Sequence, residues 1–324
     1  MSVKFSLHAE KHIRAIPRLP RAVNKGDRAA VFSPSSPASP ERVQKGIDEL
    51  RSLGFSIEPP RVQRGDGYFA ATADARRAEL LELLRRDDIA ALFALRGGYG
   101  ANYLLEGLPG NDFPSPKCIV GISDLTSLQI FLWEQCGWVT FYGPMLAAGL
   151  DGGAGNSGGY DLDSLMNAIT GVVPSWTLSL QGESIFPGIA EGRVLGGAMT
   201  LVEATFGTPW ELNTGDSILL LEDRAMKPYQ VDRVLMHFKQ AGKFNGVRSI
   251  IFGEFPECDP PVPGSPTVRE VCERILGPLK IPIVFGAAVG HTPRPMLTIP
   301  LGVRARLNAQ GEGTLEILEP AVTP

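Results

Sequence analysis

Apolar and polar positions along this chain fall into two alternating rhythms. Short stretches that are apolar throughout, such as Ala29-Ala30-Val31-Phe32 and residues 89–95, read as buried strands. Between them run segments with an apolar residue every three or four positions. Residues 40–53 (PERVQKGIDELRSL) put Val43, Ile47, Leu50 and Leu53 on one helical face; Pro40 suits the first turn and Gly54 the stop. Residues 73–86 predict a charged amphipathic helix, 117–122 a strand, 124–136 a helix and 139–142 a further strand. Strand, helix, strand in this order predicts βαβ units and a parallel sheet. The expectation is an N-terminal α/β domain over residues 1–150, with 1–24 as a leading arm.

The rhythm breaks at residues 151–159 (DGGAGNSGG), the most glycine-rich stretch of the chain. A short helix over 161–170 and an irregular stretch to about 190 follow, so 151–190 reads as a linker and substrate loop. Apolar runs then return at 193–195, 217–221, 247–252 and 281–285, with helical spacing near 198–205, 228–241 and 267–276. These predict a second, mixed α/β domain over 191–324, carrying a proline-rich loop at 256–266.

Composition narrows the function classes. The formal net charge of −4, without a basic cluster, gives no electrostatic case for nucleic acid. No run approaches the roughly 18 apolar residues of a membrane span, and charges at Lys4, Glu10, Lys11 and Arg14 interrupt any signal-peptide core. A cytoplasmic protein is expected. Cys118, Cys136, Cys258 and Cys272 form no CxxC and have no histidine at ligand spacing, which predicts buried thiols and neither a metal site nor a disulfide framework. No cofactor is expected.

The candidate chemistry sits where strands end. In Gly121-Ile122-Ser123-Asp124-Leu125-Thr126, a strand breaks into a helix. Ser123 there is either an exposed nucleophile or an ordinary helix N-cap; Leu125 stands where a G-x-S-x-G elbow has its second glycine. A nucleophilic serine needs a base. His8 and His12 lie in the arm, His237 flanks an apolar helical stripe, and His291 follows the small-residue loop 286–290, where it is a base or a structural loop histidine. An orienting carboxylate is available at Glu222 or Asp223, at the end of Ile218-Leu219-Leu220-Leu221. Alternation points these two carboxylates to opposite faces, and spacing does not choose between them. Arg96-Gly97-Gly98-Tyr99-Gly100 is a turn or a source of backbone amides; without a following Lys-Ser/Thr, an oxyanion hole suits it better than a phosphate cradle.

Five motifs in order carry a resemblance over residues 26–318: Ser33-Pro34-Ser35-Ser36-Pro37, Arg96-Gly97-Gly98-Tyr99-Gly100, Gly121-Ile122-Ser123-Asp124-Leu125-Thr126, Gly192-Arg193-Val194-Leu195-Gly196-Gly197, and residues 286–291. Together they resemble the LD-carboxypeptidases of serine peptidase family S66, which include muramoyltetrapeptide carboxypeptidases and microcin C self-immunity peptidases. The resemblance implies a triad of Ser123 as nucleophile, His291 as base and acid, and Glu222 as orienting carboxylate. It implies an oxyanion hole from the amides of Asp124 and Gly98, a site between two lobes, and a homodimer. Its substrates end in a free carboxylate or anionic group, for which Arg96 is a candidate clamp or, equally, a pin on its own loop. Trp176 falls in the segment 173–187, where the immunity subgroup carries an aromatic that stacks on a nucleobase; Trp176 and Trp210 otherwise line the acyl or leaving-group pocket or pack in the core. One departure is Ala198, where the family often reads GGN. The expected function is amide hydrolysis near a free or anionic terminus, on murein tetrapeptide or a peptide-nucleotide. The alternative is a non-catalytic α/β protein that binds small ligands or peptidoglycan fragments on the same scaffold. An amidotransferase-like enzyme would want cysteine at position 123.

Overall fold

The computed structural model describes residues 16–63, 65–110, 113, 115–171, 173 and 175–324. His8, His12 and most of the leading arm lie outside the described residues. The first half alternates as its periodicity predicts, with one short helix, α3, that it did not: β1 (Arg28–Phe32), α1 (Pro40–Ser52), β2 (Ser56–Glu58), α2 (Ala73–Arg85), β3 (Ile89–Ala94), α3 (Asn102–Leu105), β4 (Cys118–Gly121), α4 (Thr126–Cys136) and β5 (Thr140–Tyr142). Local chemistry sets the helix starts. Ser39 and Thr72 accept the Arg42 and Ala75 amides as N-caps of α1 and α2. The strands pair in parallel in the order β5-β4-β3-β1-β2, with β3 buried along its whole length.

After α5 (Leu162–Thr170) the chain builds a second sheet. Its elements are β6 (Trp176–Ser179), β7 (Glu183–Phe186), β8 (Gly188–Ala198), α6 (Met199–Glu203), β9 (Ser217–Glu222), α7 (Pro228–Gln240), β10 (Ser249–Gly253), α8 (Val268–Leu276) and β11 (Ile283–Ala287). The parallel centre β8-β9-β10-β11 is where the apolar runs predicted strands. The flanks differ from expectation. Residues 176–190, expected to be irregular, form β6, β7 and the start of β8. Another pair, β13 (Arg304–Ala309) and β14 (Thr314–Ile317), completes the order β6-β14-β13-β8-β9-β10-β11-β7. These strands are antiparallel and half-exposed, with burial alternating along β13, so they lack the continuous apolar run that marks a central parallel strand.

Between β11 and β13 the chain returns to the first sheet. There β12 (Ile299–Leu301) pairs antiparallel with β5, so residues far apart in sequence finish the first sheet's edge. The two sheets also touch through side chains. The Ala198 amide at the end of β8 donates to Thr126 Oγ1 at the start of α4, at 3.0 Å. The carboxyl ends of β3, β4 and β5 thus face the carboxyl ends of β8 and β9, and the candidate residues lie in that seam.

Candidate active site

Ser123 sits two residues beyond Gly121, where β4 ends, and opens a single 3-10 turn ahead of α4. Its φ is +61°, in the left-handed region that costs a non-glycine residue about 1–3 kcal/mol. Neither the turn nor α4 has a side-chain N-cap bond, so the serine hydroxyl is not spent on capping. The Ser123 amide donates to Tyr142 Oη at 3.3 Å. Gly97 lies directly against the hydroxyl: a Cβ there would come within 2.9 Å of Ser123 Oγ. The glycine is what lets the loop after β3 close over the serine.

Asp124 does more than follow the serine. Its buried carboxylate accepts from Ser35 Oγ at 2.5 Å and from the Ala101 amide at 2.7 Å. It thereby fastens the loop after β1 and the loop after β3 to the start of α4. Burial raises its pKa, against the pull of those hydrogen bonds. Arg76 reinforces the join from α2. It is 1 % exposed and donates to the carbonyls of Pro34, Gly100 and Ala71. Ser36 Oγ accepts the Tyr99 amide at 3.3 Å, so Arg96-Gly97-Gly98-Tyr99-Gly100 is held on both sides.

The second sheet brings the acid and the imidazole. Glu222 ends β9 fully buried, and three donors converge on its carboxylate. Tyr142 Oη donates to Oε1; His291 Nδ1 at 2.7 Å and the His291 amide at 3.0 Å donate to Oε2. Burial pushes the Glu222 carboxyl up, but the His291 charge and these bonds outweigh it, leaving the pKa below its ordinary value. For His291, burial pushes the imidazole down, and the charge and hydrogen bond of Glu222 more than offset it, so its pKa is raised. With Nδ1–H given to Glu222, the neutral ring keeps Nε2 as an acceptor. Asp223 turns instead to Thr200, accepting its amide at 3.0 Å and its hydroxyl at 2.8 Å. Of the two adjacent carboxylates, His291 is bonded to Glu222.

Ser123 and His291 line one cavity of about 400 Å³, together with Arg96, Gly98, Asp223 and Arg224. No hydrogen bond joins the serine hydroxyl to the imidazole among the described residues; catalytic bonds of this kind often tighten only around a substrate. Arg96 donates to the Pro37 carbonyl at 3.0 Å, which pins its loop while the side chain still borders the cavity. Arg42 borders it too, and Arg42, Arg224 and His291 also line an adjoining cavity of about 310 Å³. Trp176 is not brought to this site. It is half-buried on edge strand β6, paired with Ile317 and packed against the core. Trp210 packs on Phe131, with ring centroids 5.6 Å apart. His237 lies at the surface, bonded to Glu203.

Tyr142, the Asp124 carboxylate, Arg76, Arg42 and Arg224 are absent from the sequence reading. Arg76 alone left a trace. With Glu79, Leu80, Leu83 and Leu84 it occupies the buried face of α2, so it is a charge on an apolar stripe.

Serine hydrolases are the class that this scaffold and this strained, glycine-covered serine define. Two family models agree in position and order: the LD-carboxypeptidase N-terminal domain matches residues 29–143, and the LD-carboxypeptidase C-terminal domain matches residues 191–307. The chain is 32% identical over 304 residues to a Bacillus subtilis protein named "Probable murein peptide carboxypeptidase", covering 89% of this chain and 91% of the relative. It is 28% identical over 330 residues to the Microcin C7 self-immunity protein MccF of Escherichia coli, covering 91% and 94%. Its structure matches muramoyltetrapeptide carboxypeptidase from Oxalobacter formigenes with a TM-score of 0.79 at 26% identity, over 91% of this chain and 100% of that one. The chain belongs to the LD-carboxypeptidase family, the serine peptidases of family S66.

Proposed function

We propose that this enzyme removes the terminal D-amino acid from a murein tetrapeptide, with Ser123 as nucleophile, His291 as general base and acid, and Glu222 as the carboxylate that orients the imidazole and stabilises its protonated form. The observation that carries the reading is the strained Ser123, capping nothing, on the same cavity wall as an imidazole whose other nitrogen is tied to a buried carboxylate. In this mechanism His291 takes the Ser123 proton as the hydroxyl attacks the scissile carbonyl. The amides of Asp124 and Gly98 receive the oxyanion, each donor worth roughly 3–4 kcal/mol of barrier. His291 returns the proton to the leaving amine, and water then attacks the acyl-enzyme with His291 again as base.

Arg96 borders the cavity, as do Arg42 and Arg224, which are ion-paired with Asp151 and Glu257; this rim of guanidinium groups suits a peptide that ends in a free carboxylate. A second reading, cleavage of a peptide-nucleotide, is favoured by the likeness to MccF along nearly the full chain. Against it, Trp176 supplies no stacking surface at the cavity. A cytoplasmic homodimer remains part of the proposal.

The decisive experiment labels the purified protein with a fluorophosphonate probe and incubates it with murein tetrapeptide and, separately, with an aminoacyl sulfamoyl adenosine. Labelling that vanishes in Ser123→Ala, together with release of D-alanine, supports the peptidase. Equal labelling in the mutant removes Ser123 from the mechanism. Ligand binding without any turnover in either protein would instead favour a non-catalytic binding protein. Turnover of the nucleotide substrate alone transfers the assignment to the second reading.

A further inference from the structure

We propose that Tyr142 is a positioning residue: its single hydroxyl ties the strained backbone of Ser123 to the carboxylate that holds His291, and so sets the two halves of the site against each other. The inference rests on the serine-hydrolase reading above.

Tyr142 is the last residue of β5, and its side chain is fully buried. A phenol has one proton to donate. The Ser123 amide can only donate, so Tyr142 Oη accepts from it, at 3.3 Å. The phenolic proton is therefore directed at Glu222 Oε1, where a bond forms. Burial, reinforced by the nearby Glu222 charge, disfavours the phenolate strongly, so the hydroxyl stays a donor across the working pH range. Beside this hydroxyl, Thr126 Oγ1 accepts the Ala198 amide from the second sheet. Gly197 makes room for this junction: a Cβ there would come within 2.5 Å of Thr126 Oγ1 and 3.1 Å of Tyr142 Cε2. Phenylalanine would fill the ring's space. It would leave one Glu222 oxygen short of a donor and the Ser123 amide without its acceptor.

A packing tyrosine and a positioning tyrosine differ in one measurable respect. Donation to Glu222 draws off part of the carboxylate charge that raises the His291 pKa. The other groups facing this pair are Asp223 and Arg224 beyond β9, and Arg42 and Arg96 across the cavity; Glu254, after β10, is engaged by Thr292 and Arg294. None of them changes when Tyr142 is altered.

The test measures the rate of fluorophosphonate labelling of the full-length protein against pH. Three forms are compared: wild type, Tyr142→Phe, and the protein with 3-fluorotyrosine at position 142. Tyr142→Phe is expected to label about 10- to 100-fold more slowly at its plateau, the effect of losing one hydrogen bond to a charged group. The midpoint of its acid limb should move up. Fluorotyrosine, a stronger donor of nearly the same shape, should move that midpoint down. If Tyr142→Phe labels within about twofold of wild type and neither midpoint moves, Tyr142 is packing only and the inference fails. Should Tyr142→Phe not fold, the fluorotyrosine midpoint decides alone: a downward shift supports the inference and no shift overturns it. Wild-type labelling that survives Ser123→Ala would sink the serine-hydrolase reading, and this inference with it; labelling lost in Ser123→Ala but indifferent to Tyr142 sinks this inference alone.

Discussion

Each functional group in the seam is tuned by a neighbour supplied from elsewhere in the chain. Glu222 holds His291 Nδ1, and this bond and charge overcome the effect of burial to lift the imidazole pKa. Since the base must be neutral to take the serine proton, labelling and hydrolysis should rise with pH, with a midpoint above the ordinary histidine value of about 6.5. A flat profile, or a midpoint well below that value, would exclude His291 as the base. Glu222→Gln keeps the shape and removes the charge. It should lower kcat by about 10⁴-fold and bring the midpoint down, because the imidazole loses both its stabilising charge and its preferred tautomer. Steady-state kinetics over a pH series reads both effects.

At the level of elements, the oxyanion donors proposed for Gly98 and Asp124 sit on different loops, and one buried carboxylate joins those loops. Asp124→Ala leaves its own backbone amide in place but frees Ser35 Oγ and the Ala101 amide. The expected result is a fall in kcat of about 10- to 100-fold with KM changed less, because the donors would lose alignment on the transition state rather than on the substrate. An unchanged kcat would show that the loop after β3 is held well enough by Arg76 and Ser36. Arg76→Leu tests the other fastening. Three carbonyls lose a buried donor, so unfolding in urea should show a loss of about 3 kcal/mol or more, with kcat falling too if the loop loosens.

Across the whole molecule, the Glu222–His291 pair couples stability to pH from both sides. The Glu222 pKa is lowered on folding, so its contribution is present above the unfolded carboxylate range and disappears as pH falls through the folded value. The His291 pKa is raised, so its contribution is full below about pH 6.5 and disappears as pH rises through the folded value. The pair therefore contributes most at mildly acidic pH, about 5 to 6.5. The stability difference between wild type and Glu222→Gln, followed by urea unfolding across pH 3 to 10, should peak in that window. A difference that climbs steadily to pH 10 would contradict the assignment of opposite shifts. The proposed homodimer is checked by light scattering of the eluted protein, a single-chain mass being the outcome against it.

What the sequence determined by itself was everything that depends on neighbours a few residues away. Apolar runs and helical spacing marked the central parallel strands and the helices beside them, and Gly121-Ile122-Ser123 announced a strand breaking into a helix. Ordered motifs were enough to carry a family resemblance. Ambiguities remained wherever a side chain's role depended on a partner far along the chain. Whether Ser123 capped a helix, whether Glu222 or Asp223 met His291, and whether Trp176 reached the cavity were decided only when two sheets met at their carboxyl ends. Sheet order and the crossing of β12 bring Tyr142 and Glu222 together across 80 positions of sequence. No local periodicity encodes such a contact, because it follows from how whole elements pack and not from the spacing of residues within one.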